Sequence, residues 1–250
     1  MKLSVIIPVF NEASTIREVL QKVRQVNLQK EIVVINDGST DKTGEILERE
    51  KQEDPVIVVH NSLINIGKGA GVRIGLEYAQ GDVIIIQDAD LELDPKEYSL
   101  LMQPILQGKT NVVYGSRFLK KPPSQFLFSR YCISYLANRF LTSLANLLFG
   151  SRLTDMHTAY KMIHRDVIKE IRLESLGFEI DPELTAKLLR LGHTILEVPI
   201  AYHPRTTEEG KKIRWIHGPQ AIFTLLKVWF QRKERFLQKA QRLSRSQERR

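Results

Sequence analysis

Cysteine is almost missing from this 250-residue chain, where Cys132 stands alone. A single thiol excludes an internal disulfide framework and fits a reducing compartment. Long apolar runs are missing too. The best candidate, Phe126 to Phe149, is interrupted by Arg130, Arg139 and several Ser, Asn and Thr residues. A membrane span wants about 20 mostly apolar residues. The opening run to Ile7 is too short for a signal peptide, and Pro8-Val9-Phe10-Asn11-Glu12 follows where a cleavage site would be needed. No internal repeat or low-complexity linker is present.

Basic charge is in excess, but only locally. Eight Lys/Arg and two Glu from Gln231 to Arg250 give that stretch +6, which leaves +2 of the total +8 for everything before it. The tail reads either as a solvated end or as a contact for anionic lipid or nucleic acid. A near-neutral body without a recognition motif argues against a nucleic-acid-binding protein. Length and an apolar fraction of 42% suit one well-buried α/β domain or two small ones.

Apolar runs and helical spacings alternate through the first half. Strands are expected at Leu3 to Val9, Glu31 to Asn36, Val56 to His60, Val83 to Gln87 and Val112 to Gly115. Between them, Ile16, Val19, Leu20 and Val23 recur at helical spacing, Ile46 and Leu47 mark a second helix, and Lys68 to Ala79 is a helix dense in Gly and Ala. That alternation implies parallel strands joined by helical crossovers. The second half reads as a long helix over Phe126 to Phe149, a helix over Asp181 to Leu191, a strand over Leu196 to Tyr202 and a helix over Ile213 to Phe230. Arg130 and Arg139 in the long helix, and Trp215, Trp229 and Phe230 in the last, suit either packing on the sheet or lying in a membrane interface.

Three polar or acidic turns follow successive strands: Pro8-Val9-Phe10-Asn11-Glu12, Asn36-Asp37-Gly38-Ser39-Thr40-Asp41 and Asp88-Ala89-Asp90. Open α/β sheets bind ligands in the crevice at the carboxyl ends of their strands. Asp90-Leu91-Glu92 adds a second acidic pair. Clustered carboxylates repel one another unless a cation lies between them. Hard divalent ions such as Mg²⁺ or Mn²⁺ take oxygen ligands and bridge to phosphates, so the pattern points to a metal–diphosphate site.

Other motifs say less. Gly67-Lys68-Gly69-Ala70-Gly71 lacks phosphate-loop spacing and favours close helix packing, with Lys68 near the nucleotide. His157 and His164, seven apart, have no metal-site logic. Asp155 either orients an acceptor, acts as a base or caps a helix. Asp181, followed by Pro182, suits a helix cap, and a role for Glu179, Asp181 and Glu183 in acceptor binding stays open.

Seven stretches in order carry a resemblance. They are Val5 to Glu12, Asn36 to Asp41, Asn65 to Gly69, Gln87 to Glu92, Tyr114 to Phe118, Leu153 to Met156 and Arg205 to Lys212. Together they resemble the family 2 glycosyltransferases of GT-A fold, and among these the polyprenyl-phosphate glycosyltransferases related to dolichyl-phosphate mannose synthase. The resemblance implies an α/β fold with a Rossmann-like, mostly parallel central sheet, helices on both faces and C-terminal amphipathic helices. It implies a GT-A domain over 1–230, with a nucleotide-sugar half to about 117 and an acceptor half from about 118, followed by a basic tail over 231–250.

The resemblance also implies roles. Pro8, Phe10, Glu12, Asp37, Lys68, Asp88, Ala89 and Asp90 would bind the nucleotide sugar, and Asp90 with Glu92 the metal, Mg²⁺ or Mn²⁺. Tyr is common in the family where Phe10 stands, and a close relative has Gln where Glu92 stands. Arg117, Arg205 and Lys211 would bind the donor diphosphate or the acceptor phosphate, with Asp90, Arg117 and Asp155 catalytic. The implied reaction is inverting transfer of mannose or glucose from a GDP- or UDP-sugar to a polyprenyl or dolichyl phosphate. It would occur at the cytoplasmic face of a membrane, by peripheral contact or through a membrane-protein partner. A soluble glycan or protein acceptor, or a non-catalytic nucleotide-sugar-binding scaffold, are the alternatives. A nucleotidyltransferase would carry an N-terminal Gly-rich basic loop, which Pro8 to Glu12 is not.

Overall fold

Leu3–Val9 (β1) is rich in β-branched residues and is buried along almost its whole length, as a strand covered on both faces must be. It pairs in parallel with Lys30–Asn36 (β2) on one side and Val83–Ile86 (β4) on the other. In the computed structural model, which describes residues 1–119, 131–205 and 217–236, these strands form the centre of a seven-stranded sheet. Its order is β3-β2-β1-β4-β6-β5-β7, with Ile57–Asn61 as β3, Val112–Ser116 as β5, Lys161–His164 as β6 and Ile195–Pro199 as β7. Only β6 runs antiparallel, between β4 and β5. The sheet is therefore mostly parallel, as expected.

Helices cover both faces. On one, Ile16–Gln25 (α1), Thr43–Glu53 (α2) and Tyr98–Leu106 (α4) pack against Leu3, Val5 and Ile7. On the other, Lys68–Tyr78 (α3), Arg165–Glu170 (α6) and Ile180–Leu191 (α7) pack against Ile6, Ile84 and Ile86. Tyr131–Phe149 (α5) and His217–Phe230 (α8) make a third apolar cluster with α7, through Leu141, Ala145, Ala186, Ala221, Leu225 and Val228.

Two expected elements begin inside segments that are not described. The first residues of the helix read from Phe126, and those of the helix read from Ile213, lie outside the described residues, as do Trp215 and 237–250 of the tail. Three of the elements named here were absent from the sequence reading: β6, the short α6, and α4, which carries Pro104 inside it.

The glycines of α3 serve packing. A Cβ on Gly75 would lie 2.4 Å from Ile6 Cγ2, and one on Gly71 would lie 3.0 Å from Pro8 Cβ. The missing side chains let α3 sit directly on β1 and β2. Gly67, just before the helix, has φ 127°, and a Cβ there would meet the Leu176 carbonyl oxygen at 2.5 Å. Only glycine adopts that backbone at so close an approach. Gly75→Val should therefore overpack the α3–β1 contact and destabilise the domain by about 1–3 kcal/mol. Urea denaturation read by circular dichroism measures it, and unchanged stability would show that Ile6 moves aside freely.

Candidate active site

The carboxyl ends of β1, β2 and β4 open into a cavity of about 640 Å³. Its wall includes Pro8, Phe10, Glu12, Asp37, Lys68, Asp88, Ala89, Asp90, Glu92, Arg117 and Arg205. The described residues expected at the site from the sequence thus meet in one place, apart from Asp155. Lys211 lies outside the described residues.

The acidic turn after β4 is held in an unusual backbone. Leu91 has φ 62°, a left-handed conformation that a bulky side chain rarely adopts. It separates Asp90 from Glu92, whose backbone N–H donates to Asp90 Oδ1 at 3.1 Å. Burial, then the neighbouring charges of Asp88 and Glu92, push the Asp90 carboxyl up to about 7. Burial and neighbouring carboxylates thus both oppose ionisation of Asp90.

Three cations answer part of that charge. Arg205 makes a two-pronged pair with Glu12, Nη1 to Oε2 and Nη2 to Oε1, both at 3.0 Å, and its Nη2 lies 3.5 Å from Asp90 Oδ2. Its backbone N–H donates to Glu92 Oε1 at 2.9 Å, while Tyr202 Oη donates to Glu92 Oε2 at 2.9 Å. Lys68 pairs with Asp88 at 2.8 Å and stands 3.7 Å from Asp181. Burial alone would lower the Lys68 ammonium, but Asp88 and Asp181 outweigh it and hold it above its ordinary range.

Arg117, at the end of β5, is the third cation. Its Nε and Nη2 donate to the two oxygens of Asp155 at 2.7 and 2.8 Å, and its backbone N–H donates to Asp155 Oδ2 at 3.1 Å. Asn138 Nδ2 donates to Asp155 Oδ1 at 2.8 Å. Asp155 itself is fully buried behind Arg117. Burial would raise its carboxyl, but the Arg117 guanidinium outweighs burial and holds it below the usual carboxylate range. Its geometry is that of an anchor for Arg117, with neither oxygen open to the cavity. The guanidinium also stacks near the Tyr202 and Phe118 rings, at 5.0 and 5.3 Å.

Asp37 orders the loop that leads into α3. Its Oδ1 accepts from the Ile66 backbone N–H at 3.0 Å and its Oδ2 from that of Gly67 at 2.7 Å, which ties the loop before α3 to the end of β2. Phe10 and Pro8 line the same cavity.

The sequence reading left the roles of several residues open. Asp181 is engaged by Lys161 at 2.5 Å and approached by Lys68, so it joins a buried ionic chain. Burial would raise its carboxyl, but Lys161 and then Lys68 hold it low. Glu197 accepts from the Thr154 and Asp155 backbone N–H groups at 2.8 and 3.0 Å and so sets the turn that presents Asp155. Contacts of this kind join residues far apart in the chain and leave no local signal.

An open, mostly parallel sheet with an acidic crevice at its carboxyl edge is the architecture expected of a GT-A fold. Crystal structures agree: glucosyl-3-phosphoglycerate synthase from Mycobacterium tuberculosis, with Mn²⁺, uridine diphosphate and phosphoglyceric acid, superposes with a TM-score of 0.69 at 21% identity, covering 92% of this chain and 78% of that one. The same synthase has been crystallised with Mg²⁺ and uridine diphosphate. The glycosyl transferase family 2 model matches residues 4–172. The chain belongs to that family and is a glycosyltransferase. It is 29% identical over 232 residues to the undecaprenyl-phosphate mannosyltransferase of Micrococcus luteus, covering 89% of this chain and 92% of that one. It is also 29% identical over 214 residues to the dolichol-phosphate mannosyltransferase of Pyrococcus furiosus, covering 84% of this chain but only 59% of that longer protein.

The Arg117–Asp155 pair yields a measurable expectation. Removing one partner of a buried pair leaves the other charge uncompensated, at a cost of about 3–5 kcal/mol. Asp155→Asn should show that loss in urea denaturation. Stability within about 1 kcal/mol of the parent would mean that Arg117 finds another counter-charge or turns to water.

Proposed function

We propose that this glycosyltransferase moves a hexose from a GDP- or UDP-sugar to a polyprenyl phosphate, with inversion at the anomeric carbon and with Mg²⁺ or Mn²⁺ bound. The observation that carries the reading is the composition of one cavity. Its wall joins the acidic Asp88, Asp90 and Glu92, the cations Lys68, Arg117 and Arg205, and the apolar Phe118, Leu141, Phe178 and Ala221. A donor diphosphate with its metal, an acceptor phosphate and an isoprenoid chain ask for those three kinds of surface. The names of the Micrococcus and Pyrococcus relatives support the same acceptor class.

The acidic end fits a divalent cation. Its donors are all oxygens, and the raised Asp90 carboxyl marks negative charge still to be matched. Among the described residues no three His, Cys, Asp or Glu side chains converge tightly enough to enclose an ion alone. Asp90 and Glu92 would hold it, and diphosphate and water oxygens would complete its shell. When bound, the ion supplies neutralisation of charge on the departing nucleotide diphosphate.

The protein's own residues do the rest. Asp37, Pro8 and Phe10 hold the nucleoside end. Lys68 and Asp88 face the sugar and diphosphate. Arg117, fixed by Asp155, receives the acceptor phosphate with charge-assisted hydrogen bonds. Arg205 exchanges its carboxylate partners for phosphate when substrate enters. A phosphate monoester has a second pKa of about 6, so the acceptor arrives as an anion and needs no strong base. Asp155 therefore acts by aiming Arg117.

Membrane contact follows from the acceptor and is proposed as peripheral. Among the described residues no helix is long and apolar enough to cross a membrane. α5, which gives Leu141 to the cavity wall, exposes Leu136, Phe140 and Leu147, and α8, which gives Ala221, exposes Phe223, Trp229 and Phe230. Apolar side chains on paired helices, followed by Arg232, Lys233 and Arg235, suit an anionic bilayer surface.

The test measures nucleoside diphosphate released from UDP- and GDP-hexoses, with and without polyprenyl phosphate and Mn²⁺. Release should require both additions, and Asp90→Asn should lower the rate about 100-fold or more. Release indifferent to the lipid would assign another acceptor; full activity of Asp90→Asn would remove Asp90 from the metal site.

A further inference from the structure

His157 lines the cavity and takes no part in the chemistry above. It follows the Asp155 turn and lies within the fields of Asp181, Lys161, Asp155 and Arg117. It thus shares the cavity with Lys68, Asp88 and Asp181, assigned above to the donor, and with Arg117, assigned to the acceptor. Its Nε2 is buried without a hydrogen-bond partner among the described residues. A buried polar atom without a partner is uncommon in a folded protein and asks for a reason.

We propose that His157 is a specificity-determining contact for the transferred sugar, its imidazole hydrogen-bonding to one ring hydroxyl of the hexose. The inference rests on the glycosyl-transfer reading of this cavity and adds a residue to it. A sugar caught between donor diphosphate and acceptor phosphate occupies the space that His157 borders.

The chemistry of the ring selects a hydroxyl over a phosphate. Burial drives the imidazole down to about 4, so it is uncharged at neutral pH, with Lys161 and Arg117 opposing protonation and Asp181 and Asp155 favouring it. A neutral imidazole presents one donor and one acceptor. A hydroxyl group is also both, and it matches either tautomer. Phosphate oxygens call for cations, and Arg117, Arg205 and Lys68 already supply those. An equatorial and an axial hydroxyl at the same carbon point in different directions, so a fixed ring distinguishes epimeric hexoses.

Calorimetry with Mn²⁺ present tests this on the full chain. Uridine and guanosine diphosphates are titrated first, then their glucose, galactose and mannose conjugates, into the parent, His157→Gln and His157→Phe. His157→Phe should bind the bare diphosphates within about twofold of the parent. Its affinity for the preferred nucleotide sugar should fall about 5- to 100-fold, and the preference among epimers should shrink. His157→Gln, which keeps a donor and an acceptor, should retain part of that preference and a parent-like melting temperature. If both variants keep the parental epimer ratio, the inference is overturned while the function stands. Equal losses for bare diphosphate and sugar conjugate would also overturn it, by assigning His157 a structural role. If the parent binds no nucleotide sugar, the proposed function fails and the inference fails with it.

Discussion

Excess negative charge at the carboxyl edge of the sheet is the constraint to which the rest of the site responds. Glu12 follows β1, while Asp88, Asp90 and Glu92 follow β4, and adjacent parallel strands deliver them to one edge. Like charges so placed must be hydrated, neutralised or protonated. The protein uses Arg205 and Lys68 and leaves Asp90 part-compensated. Arg205 is 193 residues from Glu12 in sequence, so this pairing also draws the segment after β7 across the cavity. The left-handed Leu91 belongs to the same arrangement, because it lets Glu92 turn toward Tyr202 and Arg205 while Asp90 faces the cavity.

A second tier of ion pairs lies behind that edge. Arg117–Asp155 and Lys161–Asp181 are largely removed from water. Desolvating both members costs about as much as their attraction returns, so such pairs are weak sources of stability. What they do provide is orientation. Asp155 is fixed through its own backbone by Glu197 and through its carboxylate by Asn138, so the guanidinium it grips has little freedom. Lys161 is gripped by Asp181 and by the Thr158 carbonyl, and Asp181 passes that restraint to Lys68. Arg117 is thus backed by an anion, Asp155, that lies outside the cavity wall, whereas Glu12, Asp88 and Asp181, the partners of Arg205 and Lys68, line it.

How much of this was legible in the sequence depends on the range of each interaction. The strands β1 to β4 are short apolar runs between turns, and a strand buried on both faces looks like that. The acidic turns at their ends were legible for the same reason, since parallel strands share one carboxyl edge. β6 was not: Lys161-Met162-Ile163-His164 is only four residues, has polar ends and runs against its neighbours. α4 was hidden by Pro104, which reads as a helix breaker, yet the helix continues through it and buries that face. The anchoring partners Asp181, Glu197 and Tyr202 were illegible because each acts across 20 to 110 residues of chain. Local pattern places a carboxylate at a strand end, but tertiary packing decides whether it faces ligand or counter-ion.

That division bears on the chemistry. A transferase that adds sugar to a hydroxyl needs a carboxylate or imidazole free to take a proton. Around this cavity Glu12 is gripped by Arg205, Asp155 by Arg117 and Asp181 by two lysines, and the last two are held below the usual carboxylate range. His157 is driven low by burial and is a weak base. Asp90 has the basicity, but it sits in the acidic cluster, where a bound cation would remove it. Cations, by contrast, are abundant and rigidly aimed. A site poor in available bases and rich in fixed cations is suited to an acceptor that brings its own negative charge, and a phosphate does so. The same wall carries apolar Phe118 and Leu141, which suit the hydrocarbon of the proposed lipid acceptor once its phosphate is matched.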